Sequence, residues 1–166
     1  MLKIVLVILA AIAALVLVIV LVGSRLPVKH VASRSAEFKA PPDSLFAVIA
    51  DFRNAPSWRK ELKSVELLAP VNGRVRFREV GGERPLTMEV EELSAPRRLV
   101  TRIADTGLPF GGSWEFELEP AGHGTRLTIT EHGEVYNPVF RFMSRFVIGT
   151  TGTIDKYLAS LTRREG

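Results

Sequence analysis

The feature that most constrains the fold is a series of short segments in which apolar and polar residues alternate. Turn-forming residues separate five such runs, which cover residues 75–80, 86–93, 99–105, 114–119 and 126–136. Alternation with a period of two is typical of strands that bury one face. Because the connections are short, we expect successive strands to be antiparallel neighbours in one sheet.

The charges on the polar face of these runs indicate the same strand order. Positions 74, 76, 78, 98 and 102 are arginines, whereas positions 89, 91, 115, 117 and 119 are glutamates, so the sign changes from run to run. Neighbouring runs then place opposite charges side by side, and a well-placed cross-strand pair contributes roughly 0.2–1 kcal/mol. This pattern predicts a simple meander.

The flanking segments complete an α+β architecture. A strand is predicted at 31–39, a helix after Pro41-Pro42, a second short helix at 58–62 and a short strand at 65–68. Asn137 and Pro138 are suited to begin a helix, and apolar residues at helical spacing continue it to about Arg164. Gly149 and Gly152 within it indicate a kink or a close approach of the sheet or a ligand. One sheet with one buried face and one long helix predict a curved antiparallel sheet wrapped around that helix.

Several motifs within this pattern resemble one known superfamily. Ala40-Pro41-Pro42-Asp43 opens the first helix, Asp51-Phe52 is followed by Pro56-Ser57-Trp58, and the later strands contain Trp114-Glu115-Phe116 and Gly124-Thr125-Arg126-Leu127-Thr128. Together with the terminal helix, they resemble the START-like (SRPBCC) superfamily with its helix-grip fold, and within it the polyketide cyclase/dehydrase and lipid-transport-type proteins. The resemblance covers about residues 28–162. It implies an apolar cavity between the sheet and the C-terminal helix.

An uninterrupted apolar run precedes this domain. Residues 4–22 are nineteen consecutive apolar residues, which as a helix span roughly 28 Å, close to the thickness of a bilayer's hydrocarbon core. Lys3 and Val22-Gly23-Ser24 also fit a cleaved signal peptide, but the cores of such peptides usually have about 7–15 residues. We therefore expect a transmembrane anchor at 1–23, a linker at 24–30 and a helix-grip domain at 31–166.

The basic residues that flank the run predict its orientation. Arg25, Lys29 and Arg34 follow it, whereas Lys3 alone precedes it. Under the positive-inside rule, this imbalance places a single-pass protein in the cell membrane with its domain in the cytoplasm.

Composition narrows the chemistry of the domain. There is no cysteine, so disulfides, zinc–thiolate sites and thiol nucleophiles are excluded. The net charge of +4 is small and dispersed, which argues against a nucleic-acid partner. The three histidines lack metal-ligand spacing, and we expect no metal and no other cofactor.

The alternation also predicts which residues face a cavity. Candidate ligand-binding residues are those that point inward from the strands, lie in the loop at 106–113 or begin the last helix: Phe77, Met88, Val90, Thr101, Ile103, Leu108, Phe110, Trp114, Phe116, Ile129, Phe140, Met143 and Val147. Leu108, Pro109 and Phe110 form an apolar tip between glycines, which is suited to a lid or a membrane contact. The alternative for this loop is that it folds back onto the core.

Three inward positions are carboxylates that fall at the same end of the sheet. Glu79, Asp105 and Glu131 lie near the ends of strands that run in one direction. They are candidates for acid–base catalysis or for contacts with a ligand's polar group, since burial and mutual repulsion raise carboxylate pKa values. The alternative is that they reach solvent at the strand ends. His30, in the linker, and His123, in a turn, are expected to be solvated.

These observations predict a membrane-anchored binding protein whose partners are a hydrophobic small molecule or lipid and, through residues 4–22, the bilayer. A cyclase or dehydratase that uses Glu131 or Asp105 as general base is one alternative. The sequence does not decide whether the protein is an enzyme. A membrane-tethered module that binds a protein through the apolar start of the last helix is another.

Overall fold

The computed structural model describes residues 1–82 and 84–165. Glu83, in the predicted turn at 81–85, and Gly166, the last residue of the predicted domain, lie outside the described residues. The helices are α1 (Leu2–Arg25), α2 (Pro42–Ala50), a 3₁₀ helix (Phe52–Ser57), α3 (Pro138–Met143), a π-helical turn (Ser144–Ile148) and α4 (Gly152–Glu165). The strands are β1 (Lys29–Phe38), β2 (Ser64–Val71), β3 (Arg74–Val80), β4 (Leu86–Ser94), β5 (Arg98–Ile103), β6 (Phe110–Ala121) and β7 (Gly124–Val135).

The strands form one antiparallel sheet of seven strands in the order β1-β7-β6-β5-β4-β3-β2. From β2 to β7 each strand pairs with its successor in the chain, so the predicted meander is confirmed. β1 is an edge strand, and it pairs with β7 along its whole length, from Lys29 opposite Glu134 to Phe38 opposite Thr125. The α+β fold class is confirmed.

Ion pairs between strands occur where the alternation of charge predicts them. Arg74 Nη1 lies 2.8 Å from Glu89 Oε1 across β3 and β4, and Arg98 Nη2 lies 2.9 Å from Glu115 Oε1 across β5 and β6. Both arginines are about half exposed, so each pair contributes at most about 1 kcal/mol. Their main effect is on register, because a one-residue slip would turn these charges toward the core.

One face of the sheet is covered by α2 and α4. Leu45 and Ile49 of α2 pack in the same buried cluster as Ile154 and Leu161 of α4 and the inward residues of the sheet. Pro41 and Pro42 fix the start of α2, because proline is tolerated in a helix's first turn. The core therefore lies between these helices and the sheet.

The predicted helix from Asn137 to about Arg164, for which Gly149 and Gly152 indicated a kink, is divided into two separate helices. Asn137 does cap α3, since its side-chain oxygen accepts from Val139 N at 2.9 Å. The helix then widens into the π-helical turn and ends at Gly149, whose φ of +82° is in the left-handed region. Glycine adopts this conformation without the steric cost of a side chain, and α4 starts anew at Gly152.

Three other boundaries differ from the predictions. The short helix is a 3₁₀ helix at Phe52–Ser57 rather than a helix at 58–62, and Pro56 lies inside it. β1 begins at Lys29, so the predicted linker residue His30 belongs to the sheet. β6 begins at Phe110, because Gly111 and Gly112 pair with Glu134 and Gly133 of β7. The predicted glycine hinge after the apolar tip is thus held in the strand ladder.

Leu161 provides a test of how much α4 contributes to stability. It is fully buried against the sheet. We expect Leu161→Ala to lower the free energy of unfolding by about 2–5 kcal/mol, because it removes buried methyl groups and leaves a cavity. Thr162→Ala, at the next and exposed position, should change it by about 0.5 kcal/mol or less. Denaturant unfolding of the full chain in detergent measures both, and equal effects would contradict this packing.

Candidate ligand-binding cavity

A cavity of about 380 Å³ lies between the sheet, the 3₁₀ helix and the first half of α4. Its volume falls in the range of about 300–1,000 Å³ typical of small-molecule sites. Nine of the predicted site residues lie on its wall, eight of them predicted from the alternation and Phe110 from the loop at 106–113: Phe77, Glu79, Met88, Thr101, Ile103, Phe110, Trp114, Phe116 and Glu131. The inward face of the strands therefore forms one side of the cavity.

The remaining candidates lie elsewhere. Val90 and Ile129 are buried in the core at positions where helices fill the space above the sheet. Leu108 and Asp105 line an adjoining polar cleft of about 580 Å³, which shares Ile103, Phe110 and Gly111 with the cavity.

Phe140, Met143 and Val147 belong to α3 and the π-helical turn, and they are not on the cavity wall. The break at Gly149 separates them from α4, which covers the sheet.

Asp105 has a structural partner. Its Oδ2 accepts a hydrogen bond of 2.6 Å from the backbone N–H of Thr87, and Ala104 N donates to Thr87 O at 2.8 Å. The carboxylate therefore holds the end of β5 to the start of β4. The sequence-based interpretation of Asp105 as a cavity acid is wrong, because β5 ends at Ile103 and alternation no longer applies beyond it.

Aromatic side chains from the helices form the wall opposite the sheet and contact aromatic side chains of the sheet. The Tyr157 ring of α4 lies with its centroid 5.2 Å from that of Trp58, 5.4 Å from that of Phe116 and 5.9 Å from that of Trp114. Phe52 stacks on Phe77 at 4.1 Å. Tyr157, Trp58 and Phe52 were not among the predicted ligand-binding residues. Each was recognisable in the sequence as an apolar helical position, but only the fold places them at the cavity.

Arg59 anchors a polar cluster in the same wall. Its guanidinium pairs with Glu79 of β3, its Nε lies 2.8 Å from Glu61 Oε1, and its Cζ lies 5.2 Å from the Tyr157 ring centroid. Burial raises the pKa of the Tyr157 hydroxyl, so it stays protonated and able to donate a hydrogen bond. The pair explains why Glu79 can point inward, since a buried carboxylate needs a partner.

Glu131 forms a second polar cluster with β1 and α4. His30 Nε2 lies 3.6 Å from Glu131 Oε1, and the Thr153 hydroxyl lies 3.3 Å from Glu131 Oε2. Burial raises the pKa of Glu131, and the nearby His30 opposes that shift. Gly133 makes the contact possible, because a Cβ there would lie 2.2 Å from the His30 ring. The expectation that His30 is solvated is therefore wrong.

Within the described residues, no group of three histidine or acidic side chains is close enough to hold a metal ion. Most of the charged groups on the cavity wall instead belong to the two clusters described above, around Arg59 and around Glu131. Their chemistry is that of hydrogen-bond donors and acceptors set in an apolar surface.

Glu131→Gln tests the environment of this carboxylate. Because the folded-state pKa is raised, ionisation of Glu131 weakens folding as pH rises above about 4.3, the usual value for glutamate. The glutamine side chain would resemble the protonated acid, so the variant should have the higher melting temperature at pH 7.5 and the same one as the parent at pH 4. Glu119→Gln, on the exposed part of β6, should match the parent at both pH values. A lower melting temperature for Glu131→Gln at pH 7.5 would refute this.

Comparison with known proteins identifies the family. The family model described as "Polyketide cyclase / dehydrase and lipid transport" matches residues 29–164. No curated protein matches the chain in sequence.

Solved structures share the fold at low sequence identity. A START superfamily protein from Mycobacterium smegmatis is 20% identical with a TM-score of 0.65, and the match covers 82% of this chain and 97% of that one. A protein from Thermus thermophilus is 22% identical with a TM-score of 0.64, over 82% and 95% of the two chains.

The di-domain ARO/CYC protein StfQ from the steffimycin biosynthetic pathway is 10% identical with a TM-score of 0.67. That match covers 83% of this chain and 51% of StfQ. With a family model that spans most of its length and a START-like fold around a cavity, the chain belongs to the polyketide cyclase/dehydrase and lipid transport family.

Proposed function

We propose that the protein binds a hydrophobic small molecule or lipid in this cavity while α1 anchors it in a membrane. The observation that carries the proposal is the cavity itself, about 380 Å³ in volume and walled by aromatic and aliphatic side chains. Burial of apolar ligand surface there would provide the affinity, at about 25 cal/mol per Å² removed from water before the costs of association. The family and the START-like fold support a ligand-binding role.

The size of the cavity favours a compact ligand. Its volume is near the lower end of the range of small-molecule sites, about 300–1,000 Å³. A single acyl chain or a fused-ring molecule fits this volume better than a phospholipid with two long chains.

The charges on the wall favour a ligand that carries no negative charge. Glu61, Glu79, Glu131 and Glu134 line the cavity, whereas Arg59 and Lys156 are the permanent cations among its described lining residues. Arg59 is already paired with two of these carboxylates. A hydroxyl, carbonyl or amine on the ligand would find partners here, while a free carboxylate would face repulsion.

The membrane anchor is proposed from the length and apolar composition of α1. This helix has 24 residues, an 18-residue stretch of it has a mean hydropathy of 3.6, and none of that stretch is buried inside the domain. At about 1.5 Å per residue it is roughly 36 Å long, enough to cross a bilayer. Arg25 and Lys29 next to its C-terminal end favour the cytoplasmic side for the domain.

Blocking the cavity should release the ligand. Met88 lies on the wall, so Met88→Trp fills space that a ligand needs. Leu93→Trp is the matched control, because Leu93 is on the same strand, is exposed and does not line the cavity. Mass spectrometry of the full chain purified in one detergent should find an enriched, uncharged or cationic hydrophobic molecule with the parent and with Leu93→Trp. At least a several-fold loss is expected with Met88→Trp, and identical extracts from all three proteins would contradict the proposal.

One observation favours acid–base catalysis as a second candidate function. Glu131 and His30 face the same cavity as the aromatic wall, and burial raises the pKa of Glu131 toward the range of a general base. In this second candidate function, a polyketide-like substrate occupies the cavity and transfers a proton to the Glu131 carboxylate. Asp105 is no longer a candidate, since it holds the backbone of Thr87.

Glu131→Gln also separates the two functions. If the protein is a cyclase or dehydratase, the variant should lose at least about 100-fold in turnover of a linear polyketide-type substrate and still retain the molecule that co-purifies with the parent. Asp105→Asn is not a clean control, because it disturbs β4. Thr130→Ala, at the adjacent position on the outer face of β7, serves instead. Unchanged turnover in Glu131→Gln would exclude Glu131 as the base.

A further inference from the structure

A short helical segment beside α1 exposes an unusual amount of apolar surface. We call residues 138–147, which comprise α3 and most of the π-helical turn, the interfacial segment. Phe140, Phe146 and Val147 are 51%, 59% and 64% exposed, and Val139 is 39% exposed. In domains that contact water, a contiguous exposed apolar patch of this kind marks a surface that binds a protein or a membrane.

The interfacial segment packs against the end of α1. Gly23 of α1 is buried, and a Cβ there would lie 2.0 Å from Pro138 O, so the two backbones are in direct contact. Arg141 Nη1 also donates to Leu26 O at 3.3 Å. Ile19 and Val20, which are partly buried, lie on the same face of α1 as Gly23.

This contact fixes the depth of the segment if α1 crosses a bilayer. Residues 4–22 are the apolar run, so Gly23 lies at its boundary with the headgroups. The face that α3 covers extends from Gly23 back to Ile19, which is roughly 6 Å along the helix axis. Amphipathic helices at a membrane surface bury their apolar face by about 5–10 Å.

We propose that the interfacial segment inserts into the boundary between headgroups and acyl chains of a phospholipid bilayer, next to α1. This inference rests on the anchor in the proposed function. Its apolar side chains then meet acyl chains, while Arg145, which is exposed, and Arg25 lie among the headgroups, where anionic lipid attracts basic residues. The bilayer is the partner because the segment lies alongside the helix that would be embedded in it.

The same insertion brings the cavity to the membrane. His30 lines the cavity and is five residues beyond the end of α1, a span of at most about 18 Å. Val135 also lines the cavity and is three residues before Pro138. A hydrophobic ligand would therefore pass between bilayer and cavity over a short distance at the surface.

The chain has no cysteine, so single cysteines can report the depth of each position. A bimane label is attached to Phe146→Cys, with Ile12→Cys in α1 as the embedded control and Leu67→Cys, exposed on β2, as the aqueous control. The full chain is placed as one copy per nanodisc of phosphatidylcholine and phosphatidylglycerol. Quenching by nitroxide-labelled lipid is compared with quenching by iodide, and Phe140→Cys repeats the test at a second position.

The label at position 146 should be quenched by the nitroxide lipid several-fold more than the label at position 67, and it should be protected from iodide. Quenching by iodide to the level of position 67, with position 12 still quenched by lipid, would overturn the inference and leave the anchor intact. If the nitroxide lipid does not quench the label at position 12, both the anchor and the insertion are overturned. Protection from both quenchers would indicate a protein surface over the segment and would also overturn the inference.

Discussion

The packing of α4 on the inner face of the sheet is the contact on which the rest of the structure depends. The two halves of this helix differ in what lies beneath them. Leu158 and Leu161 are buried in the core, so this end of the sheet is filled. Toward the start of α4, Thr153, Lys156 and Tyr157 line the cavity instead. Protein interiors are normally packed without voids larger than a water molecule, so the cavity beneath the first turns of α4 is a specific feature of this fold and not a packing defect.

The partly buried carboxylates of Glu79 and Glu131 on the cavity wall each have a polar partner, which is how the fold tolerates them. Glu79 has Arg59, and Glu131 has His30 and Thr153. An unpaired carboxylate in the same place would cost far more than burial of apolar surface gains. Both pairs lie on the cavity wall, so a ligand bound there, as proposed, would meet polar groups as well as apolar surface.

The sequence predicted the sheet well, because strand alternation and the sign of outer-face charges are local signals that repeat across every strand. For the same reason, eight of the site residues predicted from the alternation lie on the cavity wall. Prediction was incomplete after Pro138, where Gly149 and Gly152 indicated a kink, but the helical pattern did not reveal that Gly149 adopts a positive φ and ends the helix. It also failed at Asp105, where the strand had ended, and at His30, whose position depends on Gly133 in a strand distant in sequence. The assembly of Phe52, Trp58 and Tyr157 around one cavity depends on contact between the 3₁₀ helix with its C-cap and α4, which are far apart in the chain, so it has no local signature.

The break at Gly149 has a mechanical consequence. It leaves α3 joined to α1 by backbone contact and by Arg141, whereas α4 belongs to the domain's core. The domain is thus connected to α1 twice, through residues 26–28 of the chain and through α3. A single flexible tether would let a domain swivel freely, but two separate attachments remove most of that rotational freedom. One side of the domain would then always be presented to whatever surrounds the C-terminal end of α1.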